Sequence, residues 1–221
     1  TDLLPYALTQ AQQAALTTIF TDLSSGKPMN RLLQGDVGSG KTVVAAGAVW
    51  LAAQSGWQSA LMAPTEILAA QHYQTLSALF DGTGIRVGLL TGSMKAREKR
   101  DIRERLELGM LDLVVGTHAL LSAGVDFARL GLVITDEQHR FGVTQRSALS
   151  AKGGRPHVLV MSATPIPRTL ALIIYGDLDI SIMNERPPGR QEVDTFLISE
   201  DKRKRMQGFI RRQVQEGHQV Y

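Results

Sequence analysis

The segment Gly35-Asp36-Val37-Gly38-Ser39-Gly40-Lys41-Thr42 has the residue types and spacing of a phosphate-binding loop. Its glycines allow the backbone to curl so that amide N–H groups point at phosphate oxygens, and the helix that follows adds its positive end. Lys41 would contact the β- and γ-phosphates of a nucleotide, and the Thr42 hydroxyl would bind Mg²⁺. The alternative is a glycine-rich turn that binds nothing, but pattern and context favour phosphate binding. The candidate cofactor-binding residues are Gly35, Gly38, Ser39, Gly40, Lys41 and Thr42.

Two carboxylates, Asp136 and Glu137, follow the apolar run at residues 132–135. If that run is a parallel strand, both acids lie at the edge of the sheet that also carries the glycine-rich loop. Asp136 would then hold Mg²⁺, and Glu137 would orient or deprotonate an attacking water. The alternative is that both acids simply begin a helix, whose N-terminus favours negative charge. Beside a complete phosphate-binding loop, the pair indicates a site of phosphoryl chemistry.

Short apolar runs alternate with stretches of helical spacing along the first three quarters of the chain. The runs are rich in Val, Leu and Ile and do not alternate polar with apolar residues, which is typical of strands buried on both faces. They lie at residues 31–34, 59–63, 87–90, 113–116, 132–135 and 158–161. Residues 42–55 and 67–80 have helical spacing. We therefore predict an α/β fold with a mainly parallel, doubly wound sheet and helices on both faces.

The composition excludes several classes of protein. The 221 residues contain no cysteine, so disulfides, thiolate zinc sites and a cysteine nucleophile are excluded. The longest nearly apolar run, residues 43–53, is shorter than the roughly 20 residues that cross a bilayer, and no signal peptide opens the sequence. We expect a cytoplasmic protein without a membrane partner. The net charge of +3 permits nucleic-acid binding but does not require it.

The segment Asn184-Glu-Arg-Pro-Pro-Gly-Arg190 has the composition of a linker. We predict one domain over residues 1–186, a linker over 187–192, and the truncated start of a second domain over 193–221. Within that last part, residues 193–198 are predicted to form a strand and residues 202–216 a basic, solvated helix. The chain is thus predicted to be a fragment of a longer protein.

Several motifs, in their order and their placement after strands, resemble those of superfamily-two helicases. Asp136-Glu137-Gln138-His139 resembles their DExH box, and Ser162-Ala163-Thr164 resembles motif III. The remaining matches are Leu8-Thr9-Gln10-Ala11-Gln12 to the Q motif, Ala63-Pro64-Thr65-Glu66 to motif Ia, Leu90-Thr91-Gly92-Ser93 to motif Ib, and Gly116-Thr117-His118 to the motif preceding the DExH box.

The finer resemblance is to RecG-type helicases, through GDVGSGKTVVA at residues 35–45, DEQHRFGVTQR at 136–146 and SATPIPRTLAL at 162–172. The transcription-repair coupling translocases are similar, but they usually carry Phe at the position of Ser39 and Glu at that of Gln138. The resemblance implies an ATP- and Mg²⁺-dependent motor of two RecA-like lobes that acts on branched or forked duplex DNA. It identifies this chain as the ATP-binding first lobe, without the wedge domain and most of lobe two. It also implies a bacterial cytoplasm and association with the nucleoid.

The same resemblance implies roles for individual residues. Lys41, Asp136, Glu137, Gln138 and His139 would form the catalytic centre. Gln12 would hydrogen-bond adenine; its alternative is an ordinary amide on a helix surface. DNA phosphates would contact Thr65, Thr91, Gly92, Thr117 and His118, although threonines at these positions also suit helix capping. Ser162 and Thr164 would couple hydrolysis to motion.

Three functions remain open at this point. The first is a RecG-like DNA translocase represented by its first lobe. The second is a nucleotide- and DNA-binding module without turnover, because arginines from lobe two are absent. The third is the motor lobe of a transcription-repair coupling translocase, whose partner is RNA polymerase.

Overall fold

The computed structural model describes residues 7–136, 152, 154–163, 178–185 and 195–220 of the chain. The chain divides into two compact units, Thr1–Pro187 and Pro188–Tyr221.

The first unit alternates helices with strands. Its helices are α1 (Gln10–Leu23), α2 (Lys41–Gln54), α3 (Glu66–Leu79) and α4 (Ala96–Glu107). Its strands are β1 (Asn30–Gly35), β2 (Gln58–Met62), β3 (Val87–Leu90), β4 (Leu113–Gly116), β5 (Leu130–Asp136), β6 (His157–Ser162) and β7 (Asp179–Met183). A short 3₁₀ helix, His118–Leu121, follows β4. The six strands and two helices predicted within this unit are thus confirmed, whereas β7 was not predicted.

The strands form one seven-stranded sheet in the order β3-β4-β2-β5-β6-β1-β7, and every pair in it is parallel. The carboxyl ends of all strands therefore meet at one edge of the sheet. In open parallel sheets, ligands bind outside that edge. Each motif singled out in the sequence after a strand consequently lies at this edge.

Helices cover both faces of the sheet because alternate strand residues point to opposite sides. Leu33 packs into a core with α1, α2 and α3, whereas its neighbour Leu32 packs on the other face. That second face also holds a cluster in which Ile102 and Leu106 of α4 contact the sheet. The predicted fold class is confirmed. Among the described residues, no helix has the length and apolar character needed to cross a membrane.

The second unit contains a 3₁₀ turn, Glu200–Lys202, followed by α5 (Arg203–Gln215). The strand predicted at residues 193–198 does not form in its described part, residues 195–198. A single extended segment leaves its backbone N–H and C=O groups without a ladder, so apolar composition alone does not make it a strand. Phe196 and Leu197 are exposed, and α5 buries none of its residues.

Candidate functional site

The glycine-rich loop joins the end of β1 to the start of α2, and its conformation depends on glycine. Gly38 and Gly40 have φ angles of 80° and 85°, a region that side chains with a Cβ rarely adopt. A Cβ on Gly40 would also lie 2.2 Å from Nε2 of Gln12. Gly40 therefore serves as the N-cap of α2, which begins at Lys41 without a side-chain cap and so presents its first amides to the loop.

Lys41 folds back over the loop. Its Nζ donates to the carbonyl oxygens of Gly35 and Asp36, at 2.7 and 3.0 Å. These bonds place the ammonium beside the carboxyl end of β1. A positive charge beside a row of backbone amides is the arrangement that binds phosphate groups.

Gln12 is buried and its side-chain amide makes two hydrogen bonds. Its Oε1 accepts from the backbone N–H of Thr9 at 3.0 Å, which completes the capping box that begins α1. Its Nε2 donates to the carbonyl of Ser39 at 2.9 Å and so ties α1 to the loop. The Ser39 hydroxyl is buried and has no hydrogen-bond partner within the described parts of the chain. The predicted contact of Gln12 with adenine stays a prediction.

A cavity of about 340 Å³ brings the loop and the end of β5 together. Its walls combine loop residues, the end of β5 and one side of α3. They include Gly38, Gly40, Lys41, Thr42, Leu68, Gln71, His72, Thr75, Asp136 and Ala163. The sheet explains this convergence, because β6 lies between β1 and β5 and pairs with both. The predicted phosphate-binding and metal-binding residues therefore share one cavity.

The donor set of this cavity suits a nucleotide with a small divalent cation. The Thr42 hydroxyl and the Asp136 carboxylate are hard oxygen ligands, the kind that Mg²⁺ takes together with phosphate oxygens and water. Nowhere in the described ranges do three or more histidine and acidic side chains form a metal-binding group. The Ser39 hydroxyl, which has no partner among the described residues, and the positive φ of Gly40 are also features that suit a loop enclosing an anion.

The structure adds His72 of α3, whose Nε2 lies 2.6 Å from Oδ2 of Asp136. Because an ionised carboxylate only accepts hydrogen bonds, the imidazole donates in this pair. The two side chains are 11% and 12% exposed. No motif in the sequence includes His72, so the sequence analysis did not single it out. Its contact depends on the position of β2, the strand before α3, next to β5, and local sequence does not reveal that order.

The predicted DNA-contacting residues follow three adjacent strands, β2, β4 and β3. Thr65 caps α3, with its hydroxyl accepting from the amide of Leu68 at 3.3 Å. Thr91 and Thr117 are buried, whereas Gly92 and His118 are exposed. The exposed surface at this edge therefore consists mainly of backbone and of His118, and the buried hydroxyls of Thr91 and Thr117 contribute little to it.

Glu66 connects two of these segments. Its Oε1 accepts from the backbone N–H of Ser93 at 2.9 Å, so the first turn of α3 is tied to the segment that follows β3. Hydrogen bonds from Ser93, first from its side chain and then from its backbone, lower the pKa of the Glu66 carboxyl, and Gly92 and Lys99 add to the effect. An ionised carboxylate thus accepts a backbone hydrogen bond at the edge of the sheet where DNA is predicted to bind.

Ser162 ends β6, is buried, and lies opposite Gln34 in register, between the loop and Asp136. The other predicted residues of the catalytic and coupling groups, Glu137, Gln138, His139 and Thr164, lie outside the described residues.

Comparison with known proteins places these features in context. The family model for DEAD/DEAH box helicases matches residues 9–173. The chain is 57% identical over 220 residues to the ATP-dependent DNA helicase RecG of Synechocystis, covering 100% of this chain and 26% of that protein. It is 51% identical to RecG of Bacillus subtilis, covering 99% of this chain and 32% of the relative. The chain thus spans about a quarter to a third of the relatives' length.

Solved structures show the same relation. A structure of RecG bound to a three-way DNA junction superposes with a TM-score of 0.82 at 48% identity, covering 98% of this chain and 29% of that chain. The helicase domain of Pyrococcus furiosus Hef superposes with a TM-score of 0.65 at 22% identity, over 85% of this chain and 39% of that chain, which shows the fold alone. The resemblance to RecG-type helicases that the motifs indicated is confirmed.

Proposed function

Because the chain belongs to the DEAD/DEAH box helicase family, we propose that it is the ATP-binding lobe of a RecG-like translocase acting on branched DNA. The observation that carries the proposal is the cavity shared by the glycine-rich loop and Asp136. The likeness to RecG, one structure of which holds a three-way junction, supports branched DNA as the substrate. The proposed location is the bacterial cytoplasm, at the nucleoid, and the proposed partners in the same protein are a second motor lobe and a wedge domain.

At the nucleotide, the loop amides and Lys41 would hold the phosphates and stabilise the charge that develops during phosphoryl transfer. Thr42 and Asp136 would hold Mg²⁺, which neutralises phosphate charge when it is bound. Glu137, next to Asp136 in sequence, would orient the attacking water. Gln138, His139, Ser162 and Thr164 would pass the state of the nucleotide to the rest of the motor. Gln12 would contact adenine once its amide leaves Thr9 or Ser39.

At the DNA edge, we propose that phosphates bind the segments after β2, β3 and β4. Thr65 and His118 would contribute side chains, and Gly92 would contribute backbone amides. The buried Thr91 and Thr117 would act through their amides and by shaping these segments. Such contacts read the backbone rather than the sequence, which suits a translocase.

The first test is nucleotide binding, measured as the change in unfolding temperature. At a concentration about 100-fold above its dissociation constant, Mg²⁺-ATP would stabilise the protein by about 2.7 kcal/mol, a rise of several degrees. Lys41→Ala should abolish that rise, whereas Lys27→Ala, an exposed lysine outside the cavity, should retain it. A wild-type protein that gains no stability from Mg²⁺-ATP would contradict the proposal.

The second test is steady-state ATP hydrolysis with and without forked DNA, using Glu137→Gln as the blank. In this chain we expect activity near the blank, because arginines supplied from a second lobe are worth about 10³–10⁵ in rate at comparable sites. A protein that includes both lobes should show hydrolysis that DNA stimulates and Glu137→Gln abolishes. If such a protein binds Mg²⁺-ATP but does not hydrolyse it, the module without turnover is the correct function.

A further inference from the structure

We propose that His72 is a positioning residue for the metal-binding carboxylate: it fixes the orientation of Asp136, so that Mg²⁺-nucleotide binds in one geometry. The inference rests on the proposed nucleotide function. It starts from the hydrogen bond between Nε2 of His72 and Oδ2 of Asp136, at 2.6 Å. Hydrogen bonds to an ionised group are shorter and stronger than neutral ones.

The position of His72 on α3 shows that the bond is built into the packing of the helix. His72 follows Ala69 by three residues and precedes Leu76 by four, so the three side chains share one face of the helix. Ala69 and Leu76 are fully buried in the core beneath α3. A histidine therefore takes a place on the packed face, where burial of a polar ring is unfavourable unless it is hydrogen-bonded. Asp136 supplies that bond.

The bond restricts rotation of the Asp136 carboxylate, and the orientation of that carboxylate affects how it can bind a cation. A terminal carboxylate otherwise rotates broadly about χ2, and a donor on Oδ2 selects one orientation of its plane. Asp136 lines the same cavity as Thr42 and Lys41, so the orientation of its carboxylate bears on any cation held there. Groups that orient a metal ligand in this way change metal affinity by about 10–100-fold when they are removed.

The experiment compares His72→Leu, which keeps an apolar volume on the packed face, with His72→Gln, whose amide nitrogen retains a donor. Gln74→Ala, at an exposed position of the same helix, is the matched control. Binding of a fluorescent ATP analogue is measured by titrating Mg²⁺, and again in EDTA. Far-UV circular dichroism and the unfolding temperature confirm that each variant is folded.

We expect His72→Leu to raise the Mg²⁺ concentration for half-maximal effect by about 10–100-fold while leaving the affinity in EDTA unchanged. His72→Gln should restore most of the Mg²⁺ response, and Gln74→Ala should match the wild type. Equal Mg²⁺ titrations for His72→Leu and the wild type would overturn the proposal, as would an equal loss of affinity with and without Mg²⁺.

If His72→Leu does not fold, the comparison of His72→Gln with His72→Asn takes its place, because the shorter Asn amide does not reach Oδ2. A normal Mg²⁺ response in His72→Asn would then overturn the proposal. Wild-type protein that binds no nucleotide, with or without Mg²⁺, would overturn the proposed function itself. Normal nucleotide binding with an unaltered Mg²⁺ response in the variants would overturn only the role of His72.

Discussion

Two partly buried histidines show that the hydrogen-bond partner determines the role of the side chain. His72 donates to the carboxylate of Asp136 at the functional edge of the sheet. His157, at the start of β6 and the opposite edge, accepts from the backbone N–H of Met29 through Nδ1, at 2.9 Å. That bond requires an unprotonated Nδ1, and burial lowers the pKa of the His157 imidazole, against a smaller opposing effect of Asp22. His157 is therefore a neutral structural residue.

The neutral state of His157 predicts a loss of stability in mild acid. Because its pKa in the folded protein lies below the ordinary 6.5, the unfolded chain binds more protons as the pH falls below that value. The free energy of unfolding should therefore decrease below about pH 6.5, by up to about 1.4 kcal/mol for each unit between the two pKa values. Denaturant unfolding at a series of pH values measures this decrease.

The control for that prediction is His157→Asn, whose side-chain oxygen can still accept from Met29 but does not titrate. The wild type should lose more unfolding free energy between about pH 7.5 and about pH 5.5 than this variant does. Parallel curves for the two proteins would show that His157 does not contribute to the pH dependence.

Among the connections between elements, the one made by Glu66 bears most directly on function. The first turn of α3 and the segment after β3 are separated by 27 residues in sequence, and this carboxylate joins them through Ser93. Its lowered pKa, which arises chiefly from the Ser93 hydrogen bonds, keeps it ionised at neutral pH. The same charge that holds the two segments together therefore stands where DNA phosphate is proposed to bind.

We predict that Glu66→Gln binds DNA more tightly than the wild type, by a few-fold at low salt. The amide oxygen of Gln can still accept from Ser93, so the bridge persists while the repulsion of phosphate is removed. Fluorescence anisotropy with labelled forked DNA measures the affinity. Glu107→Gln, which changes an exposed acid at the last residue of α4, controls for net charge. Weaker or equal binding by Glu66→Gln would mean that the ionised bridge itself is needed.

The sequence predicts the individual helices and strands of this protein better than it predicts which of them lie next to each other in the fold. The glycine-rich loop and the strands of the first unit are recognisable because their signals, glycine spacing and uninterrupted apolar runs, are local. The strand order is not local, and it places β2, which leads into α3, beside β5, which ends at Asp136, so that His72 can reach that carboxylate. β7 was missed because Asp179 and Ser181 interrupt its apolar residues, as suits a strand at the sheet edge. The two partners of Gln12 also depend on tertiary packing that a motif does not encode.

In the first unit as a whole, the parallel sheet places all the candidate functional segments at the edge formed by the carboxyl ends of its strands. The loop after β1 and Asp136 at the end of β5 line the cavity proposed to bind nucleotide. The segments after β2, β4 and β3 continue the same edge away from it, in an unbroken row of adjacent strands. Nucleotide and DNA are thus proposed to bind one rigid framework side by side. α3 carries a residue of each proposed site, Glu66 at its start and His72 in its second turn.

This arrangement predicts how DNA binding depends on salt. Three strand ends would each engage about one phosphate, so the logarithm of the association constant should fall with the logarithm of salt concentration with a slope of about −2 to −3. Anisotropy titrations over a range of salt concentrations measure the slope. The matched probe is an oligonucleotide of the same sequence with uncharged methylphosphonate linkages, whose binding should be weak and nearly independent of salt. An affinity for ordinary DNA that stays flat as salt rises would mean that base or sugar contacts, rather than phosphates along this row, hold the strand.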